Sequence, residues 1–188
     1  MTENAKIISG YKNLAKCIKK CRRKKQKIVL TQGSWDLIHI GHARYIKEAK
    51  ARGDILVVAV DGDTKIRKRK GPERPVVPQK ERIEMISHLN YVDYVILKSV
   101  REKKWALIKL LRPDVLIATK ETYNKKRAKE VAKFCGKLVI LKPRATTSTT
   151  AKLRRLQTTA ANKIEKILQP KVMKAIESTL SKIKDKNA

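Results

Sequence analysis

The sequence is poor in aromatic residues and contains only three cysteines. Aromatic side chains make up 4% of its 188 residues, which argues against the stacking platform of single-stranded nucleic-acid binders. Cys17, Cys21 and Cys135 are odd in number and lack metal-type spacing, which favours free thiols in a reducing compartment over a disulfide or zinc site. The chain has no apolar run near the roughly 18 residues of a membrane span and no secretory signal, so we expect a cytoplasmic protein without a membrane span.

Acidic residues are also scarce, whereas basic residues are abundant. The chain has 47 Lys and Arg against 17 Asp and Glu, a formal charge of +30. Such a charge attracts polyanions nonspecifically and favours anionic ligands. Because the lysines are spread along the whole chain, a lysine-rich proteome would give the same charge, and specific nucleic-acid recognition does not follow from it.

Short apolar runs alternate with amphipathic helical patterns along most of the chain. This alternation predicts an α/β fold, a doubly wound five-stranded parallel sheet covered on both faces. The predicted strands are 28–31, 55–60, 94–97, 115–118 and 138–141. The predicted helices are a basic one at 11–24, one from near 42 to Gly53, and others at 79–90, 101–111 and 124–135.

Two further helical patterns, 149–168 and 171–185, follow the last predicted strand, with Pro170 at the start of the second. Each has an apolar stripe that needs a partner surface. This partner is either the domain's own sheet or a second copy of the chain, so a homodimer is one expectation. We predict a nucleotide-binding domain over 1–157 and a basic helical extension over 158–188.

The most informative stretch is Gly33-Ser34-Trp35-Asp36-Leu37-Ile38-His39-Ile40-Gly41-His42, between the first strand and a helix. Gly33 permits a sharp turn, and Gly41 lets a phosphate approach the backbone. The N–H groups and the positive dipole end at the helix start favour an anion. His39 and His42 can donate hydrogen bonds to phosphate oxygens, although an ordinary turn with two exposed histidines would read the same way in isolation.

Three more loops follow carboxyl ends of the predicted strands, where ligands bind in such sheets. A charged loop at 61–79 has five basic residues among positions 65–70, a pattern suited to a triphosphate. The loop at 142–150 has consecutive hydroxyl residues that can cap a helix and hold phosphates. The loop at 118–124 completes the predicted crevice.

These motifs together resemble the cytidylyltransferase-like nucleotidyltransferase superfamily, whose signature is His-x-Gly-His. The segments are GSWDLIHIGH, KGPERPVVPQKER and a Ser-Thr-Thr that opens the last helix. The resemblance extends over about 11–157 and is nearest to the adenylyltransferase domain of the heptose-phosphate enzymes of lipopolysaccharide synthesis. Glycerol-3-phosphate cytidylyltransferase and archaeal FAD synthetase are runners-up.

The resemblance implies a role for particular residues. His39, His42 and Lys70 match the groups that contact the phosphates and stabilise the transition state. The expected nucleotide-binding residues are Gly33, Ser34, Trp35, Asp36, Gly41, Asp63, Arg82, Arg144, Ser148 and Thr149. The implied substrates are ATP or CTP and a phosphorylated sugar or polyol, with Mg²⁺ accompanying the triphosphate.

The sequence departs from the heptose enzymes in the loop after the fourth predicted strand. They carry Lys-Gly-Gly-Asp-Tyr where this chain has Ala118-Thr119-Lys120-Glu121-Thr122-Tyr123, without either glycine. Since that loop helps to select base and substrate in the family, heptose and the choice between ATP and CTP stay open. Two alternatives also stay open: FMN as the acceptor, and a non-catalytic nucleic-acid-binding protein on a decayed transferase fold.

Overall fold

The structure, a computed structural model, describes residues 6–120, 122–142 and 149–184. The strands are β1 (Lys6–Ile8), β2 (Ile28–Gly33), β3 (Ile55–Asp61), β4 (Tyr94–Lys98), β5 (Val115–Ala118) and β6 (Lys137–Ile140). The helices are α1 (Tyr11–Arg23), α2 (Ile40–Lys50), α3 (Asp63–Lys70), α4 (Gln79–Ser87), α5 (Ala106–Leu111), α6 (Lys125–Ala132) and α7 (Thr149–Lys184).

The strands form one parallel sheet in the order β1-β4-β3-β2-β5-β6. The chain moves outward from β2 to β4 and then returns to the other side of β2 with β5, which is the doubly wound arrangement predicted. The α/β fold class is therefore confirmed. All carboxyl ends of these parallel strands lie at one edge of the sheet, and this edge positions the candidate site.

Alternate residues of each central strand enter two separate cores, one on each face of the sheet. Leu30, Val57 and Leu116 pack on one face with apolar residues of α1 and α5, such as Leu14 and Ile108. Their neighbours in sequence, Val29, Leu56, Val58 and Ile117, pack on the other face with Ile46 of α2 and Ile86 of α4. Burial on both faces explains why these strands are continuous apolar runs.

Three features differ from the expectation. The sheet has six strands because β1 pairs with β4 at the edge, with Lys6 opposite Tyr94. This strand has only three residues, and the first two are exposed, so it is too short to give a strand pattern in the sequence. The predicted charged loop at 61–79 contains α3, a basic helix with a single buried residue, Ile66, that ends at Gly71 with φ +96°.

The third difference is in the C-terminal segment, where one helix replaces the two predicted. α7 runs for 36 residues and contains Pro170 in its interior. A proline in a helix removes one backbone N–H donor and disfavours the turn before it, but neighbouring turns can continue on both sides.

The chain divides into two compact units, Met1–Ala145 and Thr146–Ala188. The predicted domain boundary at residue 157 stays a prediction. None of the described helices is both long enough and apolar enough to span a membrane.

Candidate active site

The two histidines of the motif lie at the start of α2, directly after β2 and the loop that follows it. His39 is the N-cap of α2, and its Nδ1 accepts a hydrogen bond from Gly41 N at 3.0 Å. His42 is the third residue of the helix, and its Nδ1 accepts one from His39 N at 3.3 Å. The two rings have centroids 4.2 Å apart. The pair therefore forms a reciprocal capping box in which imidazoles take the places of Ser and Glu side chains.

This capping decides which ring nitrogen carries the proton. An Nδ1 that accepts a backbone N–H carries no hydrogen, so the proton of each ring lies on Nε2. His39 and His42 thus both have an Nε2–H donor at the N-terminus of an 11-residue helix. A helix N-terminus with two such donors is suited to phosphate oxygens.

Trp35 fixes the turn that leads from β2 into the histidines. It is buried, adopts a left-handed φ of +54°, and donates from Nε1 to the carbonyl oxygen of Ala59 at 3.0 Å. A Cβ added at Gly33 would lie 3.2 Å from the indole ring, which accounts for glycine there. The indole also contacts the ring of His42, with centroids 5.7 Å apart. Gly33 and Trp35 therefore act together to orient His42.

Asp36 ties the histidine loop to the segment after α3. Its buried carboxylate pairs with Arg74 at 2.7 Å. The same carboxylate accepts hydrogen bonds from the backbone N–H groups of Val76 and Val77 at 3.1 and 3.0 Å. Asp36 therefore holds the histidine loop against the segment after α3 that contains Arg74, Val76 and Val77.

Arg82, the largest fully buried side chain, links three more segments of the site. Its guanidinium is 1% exposed and donates to the carbonyl oxygens of Val77, Ser34 and Asp61, and it pairs with Asp63 at 2.7 Å. The carboxylate of Asp63 also accepts from Gln79 N. The predicted nucleotide residues Ser34, Asp63 and Arg82 are thus brought together by direct hydrogen bonds, while their roles toward a nucleotide stay predictions.

Asp61, at the carboxyl end of β3, carries three cations on one carboxylate. Lys65 and Arg69 of α3 pair with it at 3.1 Å each, and Lys98 at the end of β4 lies 3.9 Å away. The carboxylate is 5% exposed, so these charges surround a nearly buried anion. Arg69 also donates to Ser34 Oγ at 2.8 Å, which joins this group to the histidine loop. We call Asp61, Lys65, Arg69 and Lys98 the Asp61 cluster.

Lys98 reaches across the end of β3 to the side chain of Gln32 in β2. Its ammonium donates to Gln32 Oε1, and Gln32 Nε2 donates to the Tyr123 hydroxyl at 2.9 Å. Burial, followed by repulsion from Lys65, lowers the pKa of Lys98 to about 8, against an opposing effect of Asp61. This chain of contacts crosses the carboxyl edge of the sheet from β4 to the segment after β5.

Lys70 is the last residue of α3, and its side chain is exposed. Partial desolvation lowers its pKa, and the nearby charges of Arg69 and Arg74 lower it further, whereas Asp36 and Asp61 oppose that shift. These arginines and carboxylates around Lys70 are the same ones that organise the histidine loop. The expected phosphate-binding lysine therefore lies in the same neighbourhood, and its role stays a prediction.

Sequence reasoning missed Gln32, Asp61 and the members of the Asp61 cluster on α3 and β4. A usable signal was present, since a polar or charged residue ends each of three otherwise apolar strands: Gln32-Gly33, Asp61 and Lys98. In a parallel sheet such positions meet at the ligand edge. The prediction of one charged loop over 61–79 does not contain the helical spacing that brings Lys65 and Arg69 to the same carboxylate.

Three predicted residues give no test. Arg144 and Ser148 lie outside the described residues, and Thr149 is described only as the first residue of α7. Among the residues that the structure describes, no group of three His, Cys, Asp or Glu could hold a metal ion. The expected Mg²⁺ thus has no protein cage in this part of the chain, and its phosphate-borne binding stays a prediction.

Comparison with known proteins identifies what the chain is similar to. Residues 30–180 match the family model described as cytidylyltransferase-like. The bifunctional protein HldE of Helicobacter pylori is 41% identical over 112 residues, which are 60% of this chain and 24% of that protein. HldE of a Nitratiruptor species is 33% identical over 130 residues, 66% of this chain and 28% of that protein. The chain therefore spans about a quarter of the length of these relatives.

Solved structures agree with the fold. The lipopolysaccharide core biosynthesis protein from Thermoplasma volcanium has a TM-score of 0.56 and 27% identity, covering 64% of this chain and 99% of that one. A pantoate-beta-alanine ligase from Francisella tularensis has a TM-score of 0.56 at 16% identity, covering 73% of this chain and 66% of that one, and shows the fold alone.

Proposed function

The chain belongs to the cytidylyltransferase-like family of nucleotidyltransferases, and from that premise we propose the reaction that it catalyses. It transfers AMP or CMP from ATP or CTP to a phosphate monoester, a sugar phosphate or a polyol phosphate. An acceptor phosphate oxygen forms a bond to the α-phosphorus, the bond from that phosphorus to the bridging oxygen breaks, and pyrophosphate leaves. The acceptor is already anionic, so this step requires no general base.

The observation that carries this proposal is the reciprocal cap of His39 and His42. Each Nδ1 is occupied by a backbone N–H, so each Nε2–H is oriented as a donor before any ligand arrives. Donors fixed in advance stabilise the charge that develops on phosphate oxygens without reorganising during the step. In transfer at phosphorus, such positioning and charge stabilisation provide most of the catalysis.

The remaining residues support these two donors. We assign Lys70 to phosphate charge neutralisation, because it lies at the end of the basic helix α3 among Arg69 and Arg74. We assign Asp36, Asp63 and Arg82 to positioning, because their charged groups are engaged with loop backbone and with one another. Mg²⁺ would come with the triphosphate, whose phosphates would supply most of its ligands.

The sugar-phosphate acceptor is supported by one of the similar proteins. The structure from Thermoplasma volcanium is that of a lipopolysaccharide core biosynthesis protein, and a lipopolysaccharide contains sugars. The loop at Thr119–Tyr123 is held by a contact between the Thr119 and Thr122 hydroxyl groups at 3.0 Å and by Tyr123 on Gln32. We propose that these hydroxyl groups hydrogen-bond the nucleoside, and that the loop decides between adenine and cytosine.

Pyrophosphate release tests the function directly. The protein is incubated with ATP or CTP, Mg²⁺ and one acceptor at a time, chosen from sugar 1-phosphates, glycerol 3-phosphate and FMN. We expect release with one of the triphosphates and a sugar or polyol phosphate. Release with FMN alone would identify a flavin adenylyltransferase instead. No release with any pair, together with steeply salt-dependent binding to RNA or DNA, would favour a non-catalytic nucleic-acid-binding protein.

A further inference from the structure

The Asp61 cluster has more positive than negative charge at the ligand edge of the sheet. Three cations, Lys65, Arg69 and Lys98, meet one carboxylate that is 5% exposed. Lys65 and Lys98 are themselves 28% and 16% exposed, so solvent compensates only part of the excess. Burial, followed by repulsion from Lys65, lowers the pKa of Lys98 to about 8, although the carboxylates of Asp61 and Glu102 oppose that shift.

The carboxylate of Asp61 holds these cations in place, and each cation keeps further N–H donors for a ligand. An ammonium has three donors and a guanidinium five. Lys65 pairs with Asp61, Arg69 pairs with Asp61 and donates to Ser34 Oγ, and Lys98 donates to Gln32 Oε1. Two ammonium ions and one guanidinium exceed the Asp61 carboxylate by two charges, which matches the charge of a dianionic phosphate.

The Asp61 cluster and the two histidines lie at the ends of different strands. His39 and His42 follow β2, at the centre of the sheet, whereas the cluster lies at the ends of β3 and β4 on one side of it. The β5 side contributes mainly hydroxyl groups, those of Thr119, Thr122 and Tyr123. In an in-line transfer the attacking and leaving oxygens lie on opposite sides of the α-phosphorus, so the acceptor phosphate needs cations of its own.

We propose that Lys65, Arg69 and Lys98, held on Asp61, bind the phosphate group of the acceptor substrate. The proposal rests on the proposed function, since it names the part of that site that receives the second substrate. The cluster places a phosphate monoester dianion beside the histidine loop through the contact of Arg69 with Ser34. Charge neutralisation there lowers the repulsion between two anionic substrates, which is the main electrostatic barrier to their reaction.

A pair of double variants with equal charge tests this assignment. Lys65→Gln/Lys98→Met removes two charges from the cluster. Lys19→Gln/Lys20→Gln removes two exposed charges near the end of α1, which leads into the start of β2 and so lies toward the edge of the sheet opposite to the cluster. Binding of glycerol 3-phosphate and of glucose 1-phosphate is measured by calorimetry, with glycerol and glucose as probes without a phosphate and with ATP and CTP as nucleotide probes. Circular dichroism confirms that each variant is folded.

We expect the cluster variant to bind the better phosphate monoester about tenfold more weakly or worse, with ATP and CTP affinities changed less than about threefold. The matched control should change neither. Wild-type affinity for the monoester in the cluster variant would overturn the proposal, as would an equal loss in the control or a loss confined to the nucleotides. Binding of neither monoester by the wild type would overturn it as well.

The proposed function is tested separately, by pyrophosphate release. Cluster-dependent binding of a monoester without release with any triphosphate would leave the cluster assignment standing and refute the transferase. Release by the wild type, with an unchanged acceptor KM in the cluster variant, would refute the cluster assignment and leave the transferase standing.

Discussion

His42 uses its two ring nitrogens for different purposes. Nδ1 accepts from the backbone N–H of His39 and stabilises the start of α2, whereas Nε2–H is the proposed phosphate donor. Most histidine substitutions would remove both and confuse a folding defect with a chemical one. Amide side chains of two lengths can separate them, because Asn Oδ1 lies near the position of Nδ1 and Gln Nε2 near that of Nε2.

His42→Asn should retain the cap and lose the donor. We expect its turnover to fall by about 10²–10³, the usual effect of losing one transition-state donor, with the melting temperature nearly unchanged. His42→Gln should retain more turnover than His42→Asn but lose about 1 kcal/mol of stability with the cap. Pyrophosphate release and thermal unfolding measure the two effects, and the reverse ranking of the variants would contradict the assignment.

The lowered pKa of Lys98 should make the free energy of unfolding rise with pH, and the substitution Lys98→Met should remove this contribution. Burial and the neighbouring Lys65 lower its pKa to about 8 from the usual 10.5, against the opposing charges of Asp61 and Glu102. Between these pH values the unfolded chain holds the proton and the folded chain does not, so stability rises with pH. Below pH 8 Lys98 is charged in both the folded and the unfolded chain, and the folded state bears the full cost of burying that charge.

The free energy of unfolding of the wild type should therefore increase relative to Lys98→Met as pH rises from 8 to 10.5. The total change should be roughly 3 kcal/mol, since the pKa falls from 10.5 to about 8 and each pKa unit corresponds to 1.36 kcal/mol. Urea unfolding of both proteins at several pH values checks this. A constant difference between them over that range would show that the Lys98 pKa is not lowered.

Elements with a strong apolar signal could be predicted from the sequence, and those without one could not. β3 is buried along all seven of its residues, so its run of valines indicates a central strand. β1 gains its place by pairing with β4, and α3 by the burial of Ile66, so tertiary contacts decide both. The histidine turn was readable because its residues are close in sequence, whereas the Asp61 cluster joins residues up to 37 positions apart.

The loops around the site form one unit because Arg82 of α4 connects them. It joins the segment after β2, the end of β3 and the segment before α4 through Ser34, Asp61 and Val77. Arg82→Met would leave these carbonyl groups and the carboxylate of Asp63 without their donor in a buried place. The hydrogen bonds of Arg82 should therefore contribute a large part of the stability of the loops around the site.

We expect Arg82→Met to lower the free energy of unfolding by about 3 kcal/mol or more, as when one member of a buried ion pair is removed. Exposed Arg67 on α3 provides the matched control, and Arg67→Met should change stability by less than about 0.5 kcal/mol. Chemical denaturation measures both. Equal stability of the two variants would show that Arg82 does not hold these loops together.

At the scale of the whole molecule, the charge of +30 and the site have separate consequences. The basic residues extend from α1 to α7, far beyond the cluster at the carboxyl edge of the sheet. A charge so distributed attracts any polyanion by counterion release, and with 4% aromatic residues it offers little means of reading bases. The chain should therefore bind nucleic acid without sequence preference, independently of its histidines.

Two 20-base-pair duplexes of unrelated sequence test this separation. Wild type and His42→Asn should bind both with the same affinity, and raising salt from about 50 to 200 mM should weaken binding by about 10³ or more, as for proteins with many phosphate contacts. Fluorescence anisotropy measures these affinities. A preference for one duplex above about tenfold, or weaker binding by His42→Asn, would contradict this separation. Either result would place the nucleic acid in the histidine site, where the positive end of α2 and the two Nε2–H donors would contact its phosphates.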